Sequence, residues 1–503
     1  MTTRLDKFNE MCSIRSFYFP SAEIYSNSFA GFFEYGPTGN LIRTNIINFW
    51  RNELVRKNNF QEISGSIILP KEVFVSSGHL GNFDDPIATC EKCKLPFKLD
   101  KVISSVTGKE TPENLTESDY QKILDEHKIT CPSCKGKLGN ITRFNLMAYI
   151  NVGVQSGNLG YLRGESCQSI FLDFLRIYKT GRQTLPIVIS QQGKVYRNEI
   201  SPRNGLLRCR EFEQLESEMF FDSEKMDITP ISLDAVSDYK IKFNLVKDNL
   251  EKDYTIKEIS EQKITVGNLI TYNLYIMQKF LEDIGFKHEN IRFREVPEND
   301  RAFYSKQTFD CEIKSEKEWV ELFCVNYRTN HDLEGHSKGS KKDLTIVEDG
   351  KRILPHVLEF SSIGLDRLFY LLLENNFEVK EINGEDRNIL HLKPKISPYF
   401  VAILPLMKKD GLSEKAKEIY DSLKNQNKQY FAFYDEAGSI GKRYARLDEI
   451  GCNYCVTIDH QTLDDNTVTL RDRDSLEQKR INLNEIFEVL DNLYFEKKSF
   501  NNV

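Results

Sequence analysis

The segment Val195–Phe221 restricts the possible folds of this chain more than any other. Two extended runs flank Ser201-Pro202-Arg203-Asn204-Gly205, and that turn composition between strand-like runs predicts an antiparallel hairpin. Strand side chains alternate between faces. Arg197 and Glu199 therefore project to one side of the first strand, while Arg208, Arg210, Phe212, Gln214, Glu216 and Glu218 share one side of the second. A sheet face that combines arginines, an aromatic ring and carboxylates suits a ligand carrying both phosphate and ammonium groups. The plainer alternative is a solvated surface laced with ion pairs. Charges of both signs beside a Phe on one rigid face weigh against it.

At 503 residues the chain has room for about three domains of roughly 150 residues each. Its composition, 40% apolar and 28% charged, supports packed cores and lies outside the disordered range. No stretch approaches the roughly 18 to 20 uninterrupted apolar residues of a membrane helix. The first residues, Met1–Phe17, contain no apolar run like that of a secretory signal. A soluble, cytoplasmic protein without membrane contact is the expectation. A net charge of -7 argues against gripping nucleic acid by bulk charge, so any such contact must come from local patches.

Eleven cysteines, an odd number, are few for a disulfide scaffold of this length. Four of them form Cys90-Glu91-Lys92-Cys93 and Cys131-Pro132-Ser133-Cys134. Each knuckle places two thiolates on one tight turn, and two such turns facing each other supply a tetrahedral four-sulfur site for structural Zn2+. The small run Lys135-Gly136-Lys137-Leu138-Gly139 lets backbone amides turn toward the sulfurs. Cys452 and Cys455 lie in a strand-like run without a partner knuckle and are expected in the core.

Three composition shifts divide the chain. Residues 1 to 85 are rich in aromatic and apolar side chains, and Leu41, Ile42, Ile46, Ile47, Phe49, Trp50 and Leu54 give Asn40–Asn58 helical periodicity. Residues 100 to 130 are rich in Lys and Glu, like an insertion carried between the knuckles, and residues 223 to 263 resemble a second insertion. Pro394 and Pro398 break the chain. Beyond them a strand from Tyr399 to Leu406, a helix over 413–426 and a strand over 429–434 predict a separate α/β domain.

Read together, the motifs resemble a known family, the class II aminoacyl-tRNA synthetases, and within it the dimeric glycyl-tRNA synthetases. Arg197-Asn198-Glu199-Ile200-Ser201-Pro202-Arg203-Asn204-Gly205-Leu206, followed by Arg210-Glu211-Phe212, is similar to the second class-defining motif. Gly31-Phe32-Phe33-Glu34-Tyr35-Gly36-Pro37 and the helix after it resemble motif one, and Pro355-His356-Val357-Leu358-Glu359 with Gly364-Leu365-Asp366-Arg367 resembles motif three. Ser77-Gly78-His79-Leu80-Gly81-Asn82-Phe83-Asp84-Asp85-Pro86 matches a family loop ahead of the zinc knuckle. Trp319-Val320-Glu321-Leu322 with Tyr327-Arg328-Thr329-Asn330-His331-Asp332-Leu333 resembles a further family segment. The resemblance implies an α/β (α+β) architecture. An antiparallel-sheet catalytic domain would span 1–395, with a zinc-knuckle insertion at 86–145 and a second insertion at 223–263, and an α/β anticodon-binding domain would span 397–503.

The chemistry so implied joins glycine to ATP as glycyl-adenylate and moves glycine to the terminal ribose of tRNA(Gly), in a homodimer that uses ATP, Mg2+ and structural Zn2+. Attack of a carboxylate on the α-phosphate adds negative charge to a charged group, so preorganised guanidinium groups are the fitting stabilisers. By the resemblance Arg197 bridges carboxylate and α-phosphate, Arg208 holds the tail phosphates, and Arg367 sits over the adenine or the γ-phosphate. Phe212 stacks on adenine, Glu321 with Arg328 beside it takes Mg2+, and Asn198, Glu199, Arg210, Glu211, Leu322, Gly364 and Asp366 complete the ATP site. Glycine offers only an ammonium and a carboxylate, so its recognition needs carboxylates and a wall beyond the α-carbon. Glu165, Gln214, Glu216, Glu218 and Glu359 are the implied glycine-binding set with Arg197, and no editing domain is needed. The chain departs from the family pattern at Gly164 and Cys167, where Pro and Ala are usual, and at Lys98, where Arg is usual. Asn326 and Tyr327 likewise replace smaller or acidic residues. Motif three holds one residue more between Glu359 and Arg367, which leaves Ser361 and Ser362 both as candidates for its serine.

In the last domain Gly438-Ser439-Ile440-Gly441-Lys442-Arg443-Tyr444 and Val468-Thr469-Leu470-Arg471-Asp472-Arg473-Asp474 are similar to the anticodon-binding domain shared by several of these enzymes. That points to Lys442, Arg443, Arg446, Arg471 and Arg473 as tRNA contacts, with Tyr434 and Tyr444 available for stacking. The alternative for Arg471-Asp472-Arg473-Asp474 is a strand end paired with itself.

Overall fold

The structure is a computed structural model that describes residues 3–503 except 110, 113, 114, 155, 156, 201, 203, 204, 249, 303, 383 and 427. Ser201, Arg203 and Asn204 of the expected hairpin turn thus lie outside the described residues. The larger body is built on a nine-stranded sheet. Its strands in chain order are β1 (Gln61–Ile63), β2 (Ile187–Tyr196), β3 (Glu211–Phe221), β4 (Lys240–Asn244), β5 (Glu251–Thr255), β6 (Ile291–Glu295), β7 (Gln307–Lys314), β8 (Trp319–Thr329) and β9 (His356–Gly364). They lie side by side as β5-β4-β6-β7-β8-β9-β3-β2-β1, all antiparallel except the β1–β2 and β4–β6 pairs. The predicted hairpin is present, with Val195 opposite Phe212 and Tyr196 opposite Glu211. Residues 223 to 263, expected as an insertion, are built into the sheet. Phe243 of β4 pairs with Phe293 of β6, and Ile241, Phe243 and Tyr254 join the main core.

Alternation decides which face of the sheet becomes core and which becomes site. On β3, Leu215, Met219 and Phe221 point to the side packed by the long helix Asn268–Ile284, where each fully buried large apolar side chain contributes about 1.5–3 kcal/mol. Phe212, Gln214, Glu216 and Glu218 face the other way. On that side Phe220 packs under the helix Cys167–Thr180, stacked on Phe174 at 4.2 Å, and closes one end of the face. The periodic segment near the N-terminus forms the helix Pro37–Phe49, started by Pro37 at its first turn and continued by a π-helical stretch Trp50–Arg56. The wider π turn keeps Trp50, Leu54 and Val55 on the buried side.

The insertion between the knuckles has its own small core. Strands Asp84–Cys90, Pro96–Lys98 and Leu138–Asn145 form a three-stranded sheet, covered by helices Leu99–Thr107 and Glu117–Glu126 through Leu99, Ile103, Tyr120 and Leu124. Lys98 lies inside this unit, 2.7 Å from Asp85.

The C-terminal unit has a five-stranded sheet. Ala432–Tyr434, Val401–Pro405 and Tyr454–Ile458 run parallel, and Thr467–Asp472 and Gln478–Asn482 complete it antiparallel. Cys452 and Cys455 are buried in its second apolar cluster, in keeping with the core reading. The unit is latched to the larger body: Asn453 and Arg473 both donate to the Leu392 carbonyl, at 2.9 Å each. Among the described residues no helix is long and apolar enough to cross a membrane.

Candidate active site

A cavity of about 230 Å³ opens on the polar face of the sheet. Glu165, Arg197, Glu199, Arg208, Phe212, Gln214, Glu216, Glu321, Leu322, Glu359, Ser362, Gly364, Asp366 and Arg367 all line it, so most of the expected site converges on one space. Two irregularities in the sheet make this possible. On β9, Ser362 and Gly364 share a face by simple alternation, and Glu359, three residues before Ser362, would belong to the other. The register shift that pairs Ser217 with Ser361 but Glu218 with Glu359 leaves Phe360 as an extra residue and brings Glu359 back to the cavity. The additional residue of motif three is thus absorbed as a bulge. Of the two candidate serines, Ser362 lines the cavity, while buried Ser361 donates to the Leu215 carbonyl. A second bulge on β8 sets Leu322 between Glu321 and Phe323.

The inner end of the cavity is acidic. Ser166 Oγ donates to Glu216 Oε2 at 3.0 Å and Ser166 N to Gln214 Oε1 at 2.9 Å, which fixes both side chains from the loop above. Glu216 Oε1 has no hydrogen-bond partner among the described residues. Burial, reinforced by the charge of Glu359, raises the Glu216 and Glu218 carboxyls well above their ordinary range. Glu218 lies deeper, fully buried and outside the lining. Burial also presses Glu165 upward, but the hydrogen bond from His79 and the charges of His79, Arg197 and Arg328 outweigh it and hold that carboxyl far below the usual range.

Arg328 is not beside Glu321. It is buried at the far end of β8, donating to Asp332 at 2.8 and 2.9 Å and to Glu359 at 2.8 Å, with its guanidinium 4.4 Å from the Tyr304 ring. Its role is to brace Glu359.

The outer end is basic and aromatic. Arg197 Nε donates to Gly164 O at 3.0 Å, and its guanidinium lies 5.2 Å from the ring of Phe83 and 5.4 Å from that of Phe212. Arg208 forks onto Glu199 Oε2, at 2.7 Å from Nε and 2.5 Å from the second nitrogen. Arg367 donates to the carbonyls of Leu207 and Glu321 across the mouth. Glu321 itself is exposed there.

Five expected positions are placed or used differently. Strand β3 begins at Glu211, so Arg208 and Arg210 precede it and do not share its face. Arg210 turns back to the carbonyls of Glu199 and Ala30, and Glu211 pairs with Lys194 outside the cavity. Asn198 is exposed and donates its backbone N–H to Leu146. Asp366 is a brace, accepting from Tyr35 Oη at 2.6 Å and Glu213 N at 2.8 Å.

Sequence reasoning marks Cys167 only as a departure from the family pattern and does not single out Cys324, yet both line the cavity, with thiols 3.6 Å from Glu165 and 3.5 Å from Glu359. Cys324 shares strand parity with Asn326 and Arg328, a signal that could have found it.

The four knuckle cysteines do meet. Their sulfurs all lie within 4.8 Å of one another, with Cys90–Cys134 at 3.5 Å and Cys93–Cys131 at 3.6 Å. Tetrahedral zinc with Zn–S bonds of about 2.3 Å requires S···S distances of roughly 3.8 Å, so the donor set fits that ion. The two knuckles repeat one turn: Lys94 N donates to Cys90 O and Lys135 N to Cys131 O, with φ of 60° and 59° at the two lysines. A Cβ at Gly136 would stand 3.0 Å from Cys90 Sγ and 3.2 Å from Cys134 Sγ, so glycine is needed for the chain to pass the sulfurs. The Cys93 amide, aimed at Cys90 Sγ, draws that thiol down to about 6.

In the C-terminal unit, three of the five expected tRNA contacts are structural. Arg443 is buried against the carbonyls of Pro405, Asp435 and Leu406. Arg471 is bidentate to buried Asp448 at 2.8 and 3.0 Å, and Arg473 binds Asp474 and two backbone carbonyls. Lys442 is exposed, and Arg446, four residues on and on the same helix face, is half-buried against Asp435. Tyr434 bonds Glu436 and Tyr444 bonds Thr457. Replacing Arg471 by Met is expected to destabilise this unit by about 3–5 kcal/mol, because Asp448 would stay buried with Arg387, at 3.5 Å, as its remaining ion-pair partner among the described residues. Thermal unfolding measures this. Unchanged stability with weakened tRNA binding would return Arg471 to the RNA surface.

Comparison with known proteins agrees with this architecture. Residues 155–376 match the tRNA synthetase class II core domain (G, H, P, S and T), and residues 400–493 match the anticodon binding domain. The glycine–tRNA ligase of Thermococcus sibiricus is 35% identical over 98% of this chain and 99% of its own. That of Pyrococcus horikoshii is 35% identical over 98% and 100%, and that of Archaeoglobus fulgidus 33% over 98% of each. Among solved structures, the crystal structure of the RNA binding domain of threonyl-tRNA synthetase from Cryptosporidium parvum Iowa II covers 97% of this chain and 98% of its own, with a TM-score of 0.59 at 17% identity, a likeness of fold alone. With both domains matched in order and the likeness to these enzymes running nearly end to end, the chain belongs to the glycine–tRNA ligases.

Proposed function

We propose that this glycine–tRNA ligase binds glycine at the acidic end of the cavity and ATP at the basic end, with Arg197 at the join. The observation that carries the reading is that Glu165, Glu216 and Glu359 line the same small cavity as Arg197, Arg208 and Arg367. The glycine ammonium meets the unpartnered oxygen of Glu216 and the carboxylate of Glu359. Its carboxylate turns to Arg197. Cys167, Cys324 and Ser362 occupy the space a larger side chain would need. Phe212 gives a ring face to adenine, Arg208 holds the tail phosphates, and Arg367 covers the adenine or the γ-phosphate.

A glycine carboxylate oxygen attacks the α-phosphorus and pyrophosphate leaves. The terminal ribose hydroxyl of tRNA then attacks the glycyl carbonyl and AMP leaves. Neither step needs a side-chain nucleophile. Burial and the charge of Glu165 raise the Cys167 thiol, and burial and Glu359 raise that of Cys324, so both stay protonated. Catalysis is positioning plus guanidinium stabilisation of phosphate charge.

Glu321, exposed at the mouth, would hold Mg2+ together with substrate phosphates and so supply charge neutralisation there. Cys90, Cys93, Cys131 and Cys134 would hold structural zinc. Lys442 and Arg446 are the proposed tRNA contacts of the C-terminal unit. A homodimer is proposed because Ile24 and Phe29, beside motif one, are 87% and 75% exposed, a surface a second copy would cover. A cytoplasmic location suits eleven free cysteines.

The test is ATP–pyrophosphate exchange with each of the twenty amino acids offered singly. Exchange with glycine alone is expected. Equal exchange with alanine or serine, or none at all from folded protein, would overturn the assignment of the pocket.

A further inference from the structure

The loop ahead of the four-cysteine insertion reaches the pocket twice. His79 opens the short helix His79–Asn82, and its Nε2 lies 3.2 Å from Glu165 Oε2. An ionised carboxylate only accepts hydrogen bonds, so Nε2 carries a proton, and Nδ1 lies 2.8 Å from the hydroxyl of buried Ser77, which fixes the ring from its other side. The other contacts of Glu165 are longer, 3.4 Å from Arg197 and 3.6 Å from Cys167 Sγ. Phe83, at the other end of the same helix, sets its ring against the Arg197 guanidinium and packs so closely on Gly164 that a Cβ there would stand 2.9 Å from Phe83 Cε1.

This loop is held from the stem of the insertion. Asn145 Nδ2 donates to the carbonyls of His79 and Leu80, at 3.3 Å each, and Leu146 N donates to Phe83 O at 3.0 Å. The same stem accepts from the catalytic body, where Asn198 N donates to Leu146 O at 2.8 Å. Glu165 stands on a loop above the sheet rather than on a strand, so the sheet does not fix its carboxylate.

We infer that His79 and Phe83 are positioning residues for the glycine end of the site: His79 orients the Glu165 carboxylate and Phe83 orients the Arg197 guanidinium, both anchored to the insertion's stem. The inference rests on the reading of Glu165 and Arg197 as glycine-binding groups.

Exchange kinetics on full-length, zinc-loaded protein test it, with Glu165→Gln measured alongside. His79→Leu keeps bulk and loses the donor, and should raise the KM for glycine on the order of tenfold to a hundredfold while kcat and the KM for ATP change by about twofold at most. His79→Gln places an amide nitrogen where Nε2 was and should restore most of the loss. His79→Asn, whose amide falls short, should not. This pair carries the test if His79→Leu does not fold. Phe83→Leu should raise the KM for glycine, and Phe83→Tyr should leave it near the starting value. Equal glycine KM in His79→Gln and His79→Asn, or an unchanged one in His79→Leu while Glu165→Gln raises it, overturns the inference. An unchanged glycine KM in Glu165→Gln itself would instead count against the reading of Glu165.

Discussion

Replacing Arg197 by Ala is expected to lower ATP–pyrophosphate exchange by roughly a thousandfold or more, while zinc content and tRNA binding persist. Arg197 stands between the carboxylates and the phosphate end of one cavity, and its guanidinium is held in place before substrate arrives by Gly164 O and by the rings of Phe83 and Phe212. A donor fixed in advance stabilises new phosphate charge without reorganising when the charge appears. The alanine variant loses that charge and also frees the loop carrying Glu165. Exchange rates, filter binding of tRNA and elemental analysis separate these effects. Normal exchange would show that the join between the two substrates lies elsewhere.

The second large effect is expected from Cys131→Ser. Four thiolates around zinc contribute binding energy of order 10 kcal/mol to folding in small metal-stapled units, and serine cannot replace a thiolate as a soft donor. The insertion's core is small, built on residues such as Leu99, Ile103, Tyr120 and Leu124. It should therefore lose both its metal and its cooperative unfolding transition, and its helices should become sensitive to protease. One zinc per chain retained in the variant would show that the wrong ligands had been chosen.

What was readable in the sequence follows from which contacts are local. Strand alternation alone predicts the hairpin and the shared face of Phe212, Gln214 and Glu216, because period-two geometry is intrinsic to a strand. The zinc knuckles are equally local. Alternation fails at Arg208 and Arg210, where the strand has not yet begun, and at Glu359, where a bulge reverses the parity. The misplaced tRNA arginines have another cause. Arg443, Arg471 and Arg473 are buried because Asp448 and carbonyls from distant segments come to meet them, and nothing in the run Arg471-Asp472-Arg473-Asp474 encodes that partner. His79 sits inside a motif that was recognised, yet its function depends on Glu165, 86 positions away.

The bulge at Phe360 uncouples residue count from facing in β9, because the extra residue is taken up by curvature of the strand. A substitution there disturbs one side chain. Removing Phe360 would leave Glu359 two positions before Ser362, on the cavity face by plain alternation, and would take away the local bend and added twist that a bulge gives a strand. The acidic end of the pocket is thus shaped partly by backbone curvature, and a single missing residue, with every catalytic side chain still present, would change the angle at which Glu359 meets Arg328.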